Sequence, residues 1–166
     1  MQLKNLKKGL QRNHLAVIYP RRADKFVRLE DEYMRDSFVA DENNAEYMLA
    51  VTDTAKRAAM QWEGTTLKQA YLVLTRTGER LAINPKAAKN RFQLSTQGKY
   101  AVWYDYAVKN WFYYAVASRK TINLTGKTGV ALTDQENDLP DDPQPCGIAA
   151  WTRDDDAVLF FDRYSI

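Results

Sequence analysis

The sequence predicts one α+β domain, 1–166, with a largely antiparallel sheet of about six strands and two or three helices. Three observations lead there. A length of 166 residues with 45% hydrophobic content suits one domain that buries about two thirds of its unfolded surface. Pairs of β-rich apolar runs flank short turns. Other stretches space their apolar residues by three and four, the period of a helix.

Residues 1–13 read as a basic arm carrying Lys4, Lys7, Lys8 and Arg12. The nearby apolar run, residues 15–19, is closed by Pro20 and is too short for a secretory leader, so it reads as a strand. Residues 24–35 read as a short helix with Phe26, Leu29 and Tyr33 on one side. Residues 44–63 are the principal expected helix. Asn43 can cap it, Glu46 stands at the capping-box position, and Met48, Val51, Ala55, Ala58 and Trp62 form one stripe. Asp53 and Arg57 can pair one turn apart, and Gly64 supplies the C-terminal stop.

A hairpin follows, 70–76 with 79–83, turning at Thr77-Gly78 and ending before Asn84-Pro85. Residues 100–117 fit a helical stripe of Tyr104, Ala107, Val108, Trp111, Phe112, Ala115 and Val116, although their composition favours strands and Lys109-Asn110 can turn a hairpin. The absence of Gly and Pro tips the reading to a helix. A second hairpin is expected between 121–124 and 130–132, and a third between 148–151 and 158–161. Residues 134–145, acidic with Pro140, Pro143 and Pro145, read as a surface loop.

Charge is distributed in blocks behind a net +3. Residues 1–22 hold six bases and no acid, and 23–63 hold ten acids against five bases. Residues 64–133 carry eleven bases against two acids, and 134–166 carry nine acids against two bases. The long basic stretch also contains the aromatic-dense segment. Cations neutralise phosphates and exposed rings stack on unpaired bases, so this pattern points to single-stranded nucleic acid or RNA. The expected contacts are Lys68, Arg76, Arg80, Lys86, Lys89, Arg91, Lys99, Tyr100 and Trp103, with Lys86, Lys89 and Arg91 as the phosphate-facing loop. Tyr106 and Tyr113 are the other aromatics off the helical stripe. The blander reading is that the basic and acidic faces are solvated and that the aromatics form core.

Several chemistries lack their residues. Gly126-Lys127-Thr128 has Thr121 where a phosphate loop needs glycine, so it reads as a turn. His14 is the only histidine, which argues against catalytic zinc. Cys146, the only cysteine, excludes an intrachain disulfide and suits a reducing, cytoplasmic setting. A Cys146–His14 nucleophilic pair carries no family signature. Asp154, Asp155 and Asp156 are consecutive and point apart, and no Asp/Glu-x-Lys triplet occurs. No run approaches the roughly 20 apolar residues of a membrane span.

The expectation is therefore a non-catalytic, nucleic-acid-associated binding protein, with no cofactor, metal or catalytic residue and no membrane contact. A second reading is a small inhibitor or adaptor of a nucleic-acid-handling protein complex. In it, Asp138, Asp141, Asp142, Asp154, Asp155 and Asp156 mimic phosphate charge and aromatics anchor the interface. This is an analogy of type with phage and plasmid accessory proteins that block bacterial defence systems.

Overall fold

The computed structural model describes residues 13–40, 46–54, 67–83, 90–130, 132–134, 136–138, 140 and 142–162. Within them the chain is antiparallel β, with β1 (Ala16–Tyr19), β2 (Arg22–Arg28), β3 (Met34–Val39), β4 (Tyr47–Thr52), β5 (Gln69–Leu74) and β6 (Arg80–Ala82). Then come β7 (Asn90–Leu94), β8 (Tyr100–Asp105), β9 (Asn110–Ala115), β10 (Lys120–Asn123), β11 (Ile148–Trp151) and β12 (Val158–Phe160), with a 3-10 turn at Arg153–Asp155.

Pairing between chain neighbours makes four sheets: the hairpin β1-β2, the meander β3-β4-β5-β6, the meander β7-β8-β9-β10 and the hairpin β11-β12. The alternation of side chains stacks them. Leu49, Val51, Ala70 and Leu72 of the first meander meet Phe92, Ala101, Trp103 and Tyr114 of the second in one cluster. On the far side of the first meander, Met34, Met48, Ala50 and Val73 pack on Val27 and Leu29, with Val17 and Tyr19 beside them. On the far side of the second, Val102, Tyr104 and Trp111 pack with Ile148, Trp151 and Phe160. The result is four layers in chain order. Each central sheet is a four-stranded meander with neighbours on both faces, the unit from which β-propellers are built.

This architecture corrects the α+β expectation: no α-helix occurs among the described residues. Residues 24–35 fall on β2, the β2–β3 connection and the start of β3, and residues 47–52 are β4. Residues 48–53 are all buried, because alternate β4 side chains enter different clusters. A strand covered on both faces reads as an unbroken apolar run, in which a helical stripe can be picked out by chance. Asn43 and the distal part of that expected helix, with Ala55, Arg57, Ala58, Trp62 and Gly64, lie outside the described residues. Residues 100–115 likewise form β8 and β9, with Tyr104 opposite Trp111. Lys109, at φ 54°, takes the left-handed turn position that glycine would have advertised.

The hairpin at Thr77-Gly78 stands as β5-β6, with Gly78 at φ 77°. The strand over residues 15–19 and the hairpin of 148–151 with 158–161 stand as β1 and as β11-β12. The expected pairing of 121–124 with 130–132 is replaced: β10 returns onto β9, Thr121 opposite Tyr114. Gly126-Lys127-Thr128 is a turn, with Asn123 Oδ1 accepting from Gly126 N at 2.8 Å and the Thr125 carbonyl accepting from Thr128 N at 3.1 Å. The loop after it is pinned at its base, where the Gln144 carbonyl accepts from Asp134 N at 2.9 Å.

Candidate anion-binding site

The structure engages or buries several residues of the expected nucleic-acid face. Trp103 is core, stacked on Phe112 at 6.0 Å and tilted against Phe92. Tyr100 stacks on Trp151 at 5.9 Å and meets Tyr113 edge-on at 5.3 Å, so one face of its ring is already taken. Tyr106 is buried edge-on to Tyr104. The cations are also engaged. Lys68 pairs with Asp36 at 3.4 Å, Arg80 with Asp31 at 2.7 Å, and Lys99 Nζ donates to the Asp154 carbonyl at 2.5 Å. Arg91 is exposed on β7, the edge strand of its meander, whereas Lys86 and Lys89 lie outside the described residues.

The described acidic residues of the second reading divide between one buried position, Asp155, and the exposed Asp138, Asp142, Asp154 and Asp156. Asp155 is 2% exposed and accepts from Ser95 Oγ at 2.6 Å, Gln97 N at 3.1 Å and Lys99 N at 3.3 Å. Asp154 Oδ1 accepts from Gln97 Nε2 at 3.0 Å. These two residues tie the β11–β12 turn to the β7–β8 turn, which leaves Asp156 exposed. Asp138 and Asp142 are exposed on the 134–145 loop, and Asp141 lies outside the described residues.

One expected cation, Arg76, does join a cluster. A cleft of about 320 Å³ is lined by Tyr19, Arg21, Arg22, Lys25 and Arg76. Local sequence builds it. Pro20 presets the backbone angle of the two-residue turn between Tyr19 and Arg22, which are paired. The next pair is Ile18 with Phe26, so residues 23–25 loop out of the ladder. That loop brings Lys25 Nζ to 5.2 Å from the centre of the Tyr19 ring. The Tyr19 hydroxyl donates to the Thr75 carbonyl at 3.3 Å, fastening the hairpin to the β5–β6 turn, where Arg76 is exposed. Among the described residues, Arg21, Arg22, Lys25 and Arg76 form no ion pair.

Sequence reasoning passed over Tyr19, Arg21, Arg22 and Lys25. The available signal was the cation density around Tyr19-Pro20, which the acidic block beginning at Asp24 obscured. A larger recess of about 540 Å³ runs past Glu46, Tyr47, Lys99, Tyr100 and Arg119. It mixes both signs of charge, and its Lys99 and Tyr100 are already engaged.

Among the described residues, Asp31 and Tyr104 depart from their ordinary values. Burial alone would raise the Asp31 carboxyl, but Arg80 and the backbone N–H groups of Tyr33 and Met34 outweigh it and hold the pKa below 3.8. Burial, then the neighbouring Tyr106, Asp142, Asp105 and Cys146, pushes the Tyr104 phenol up to about 12. Tyr104 Oη and Trp111 Nε1 are buried without a hydrogen-bond partner. Cys146 is a free, half-buried thiol. No group of three or more His, Cys, Asp or Glu among the described residues is placed to hold a metal ion. No helix among them is long and apolar enough to cross a membrane.

Comparison with family models, with curated proteins and with solved structures finds no match to this chain, so the reading of the cleft rests on its own geometry.

Proposed function

We propose that the protein is a non-catalytic binding protein whose stacked sheets hold a cationic cleft for the phosphate backbone of a nucleic acid. The observation that carries this reading is the convergence of Arg21, Arg22, Lys25 and Arg76 around Tyr19 without a described carboxylate partner. Like charges gathered at a surface repel one another, and a bound polyanion relieves that repulsion. Guanidinium forks suit phosphate oxygens, because two parallel N–H donors match two acceptors. The buried Trp103 and engaged Tyr100 favour contact through phosphates over contact through stacked bases, hence binding with little sequence preference.

The test is a titration of labelled single-stranded DNA, single-stranded RNA and duplex DNA with the wild-type chain and an Arg21→Gln/Arg22→Gln/Lys25→Gln/Arg76→Gln variant. At low salt the variant is expected to bind at least tenfold more weakly, while a Lys68→Gln/Arg80→Gln variant, altering cations already paired, stays within about twofold. Equal binding by the wild type and the cleft variant would remove the cleft as the site.

A further inference from the structure

The four layers are uneven. The two inner sheets have four strands each, whereas the outer two are hairpins that cover only part of the meander beside them. β1-β2 packs on Met34, Met48, Ala50 and Val73 and reaches the β5–β6 turn, where Val27 Cγ1 and the Arg28 carbonyl approach Gly78, whereas Val39 at the end of β3 stays 45% exposed on the same face as buried Met48. At the other end β11-β12 lies over β8 and β9, and Ile122 on β10, opposite Tyr113, stays 42% exposed. Each hairpin also turns apolar groups outward. Ile18 and Phe26, directly paired, are 61% and 64% exposed, and Leu159 and Phe161 are 50% and 62% exposed. A stack of this kind ends in two half-covered apolar faces.

The ends are complementary in charge. Residues 16–28 carry Arg21, Arg22, Lys25 and Arg28 against Asp24, a net +3. Residues 148–162 carry Asp154, Asp155, Asp156 and Asp162 against Arg153, a net −3. Opposite fields on the two ends favour a head-to-tail contact between copies and disfavour contacts between like ends.

We propose that a second copy of this chain completes both ends: β11-β12 of one copy and β1-β2 of the other lie side by side as one four-stranded sheet. In that arrangement the Ile18 and Phe26 pair closes over Ile122 of the first copy, and Leu159 and Phe161 close over Val39 of the second. The contact is heterologous, and because each copy presents both halves, two copies close on themselves. The twelve strands among the described residues, taken in fours, are three sheets per copy, so a closed pair has six, within the four to eight blades of a β-propeller. Three alone would fall below that range. Arg21, Arg22 and Lys25 enter both this charge balance and the Tyr19 cleft, but self-association measured without nucleic acid and altered at Phe26 or Phe161 fails or succeeds separately from nucleic-acid binding altered at the cleft cations.

Sedimentation equilibrium without nucleic acid, from 1 to 100 µM, tests this directly. The expected species is a pair of about 38 kDa, twice the 19.1 kDa chain. A monomer throughout, or open-ended growth to larger species, overturns the proposal. Phe26→Asp and Phe161→Asp alter outward, exposed side chains, so each variant is expected to keep its thermal unfolding transition while its self-association weakens at least tenfold. Mixing the two variants restores one unaltered contact, and a 1:1 complex is expected. A mixture that stays as monomeric as either variant alone overturns the head-to-tail arrangement.

Discussion

Asp155 shows how one side chain can hold two distant turns. Its carboxylate takes hydrogen bonds from Ser95, Gln97 and Lys99 while its own backbone sits at φ 56°. Replacing it with alanine strands those donors in a site from which the carboxylate excluded water, a loss of roughly 3 kcal/mol. Chemical denaturation of Asp155→Ala should show that loss without a change in m-value. Asp31 adds a dependence on pH. Its folded pKa is depressed, so its contribution is present above 3.8 and is lost as pH falls through the lower folded value. Between pH 5 and 3 the wild-type melting temperature should fall more than that of Asp31→Asn, which has no carboxyl to protonate. At this scale the sequence is a poor guide: Asp154, Asp155 and Asp156 are three identical consecutive acids, and nothing local distinguishes the buried member from its neighbours.

Among the elements, the hairpins differ in the residue that carries the left-handed turn position. Gly78 and Gly98 occupy it after β5 and β7, and Lys109 and Arg119 occupy it after β8 and β9. The hairpin marked by Gly78 could be read from the sequence. The one marked by Lys109 could not, because its aromatic strands also fit a helical stripe. A non-glycine residue in that region costs on the order of 1 kcal/mol, so Lys109→Gly should stabilise the chain by about 0.5 kcal/mol after the entropy of the unfolded glycine is counted. Gly78→Ala should do the reverse, since its φ is 77° and an added Cβ lies 3.2 Å from the Arg28 carbonyl. Thermal melts of both variants check the pair. The same scale explains the strands β4 and β8. Each feeds two layers at once, so neither shows the alternation by which a half-buried strand is recognised.

Across the whole molecule, the layers follow the chain, and this order places the cationic cleft. β1-β2 is fastened to the β5–β6 turn by Tyr19, which sets four bases from two separate segments around one ring. The sequence located basic density correctly in blocks but assigned it to a single face between residues 64 and 133. Lys68, Arg80 and Lys99 of that stretch are engaged by Asp36, Asp31 and the Asp154 carbonyl, Arg76 passes into the cluster, Arg91 stays exposed, and Lys86 and Lys89 lie outside the described residues. Such pairing across layers depends on strand register, which block charge does not encode.

The most direct test of the cleft is the salt dependence of binding to a single-stranded oligonucleotide. Four phosphate contacts predict a slope of log K against log salt near −3. The Arg21→Gln/Arg22→Gln/Lys25→Gln/Arg76→Gln variant should flatten that slope towards zero, because the cations that release counterions are gone. A slope unchanged in the variant would contradict the account and move the contact to other charges on the molecule.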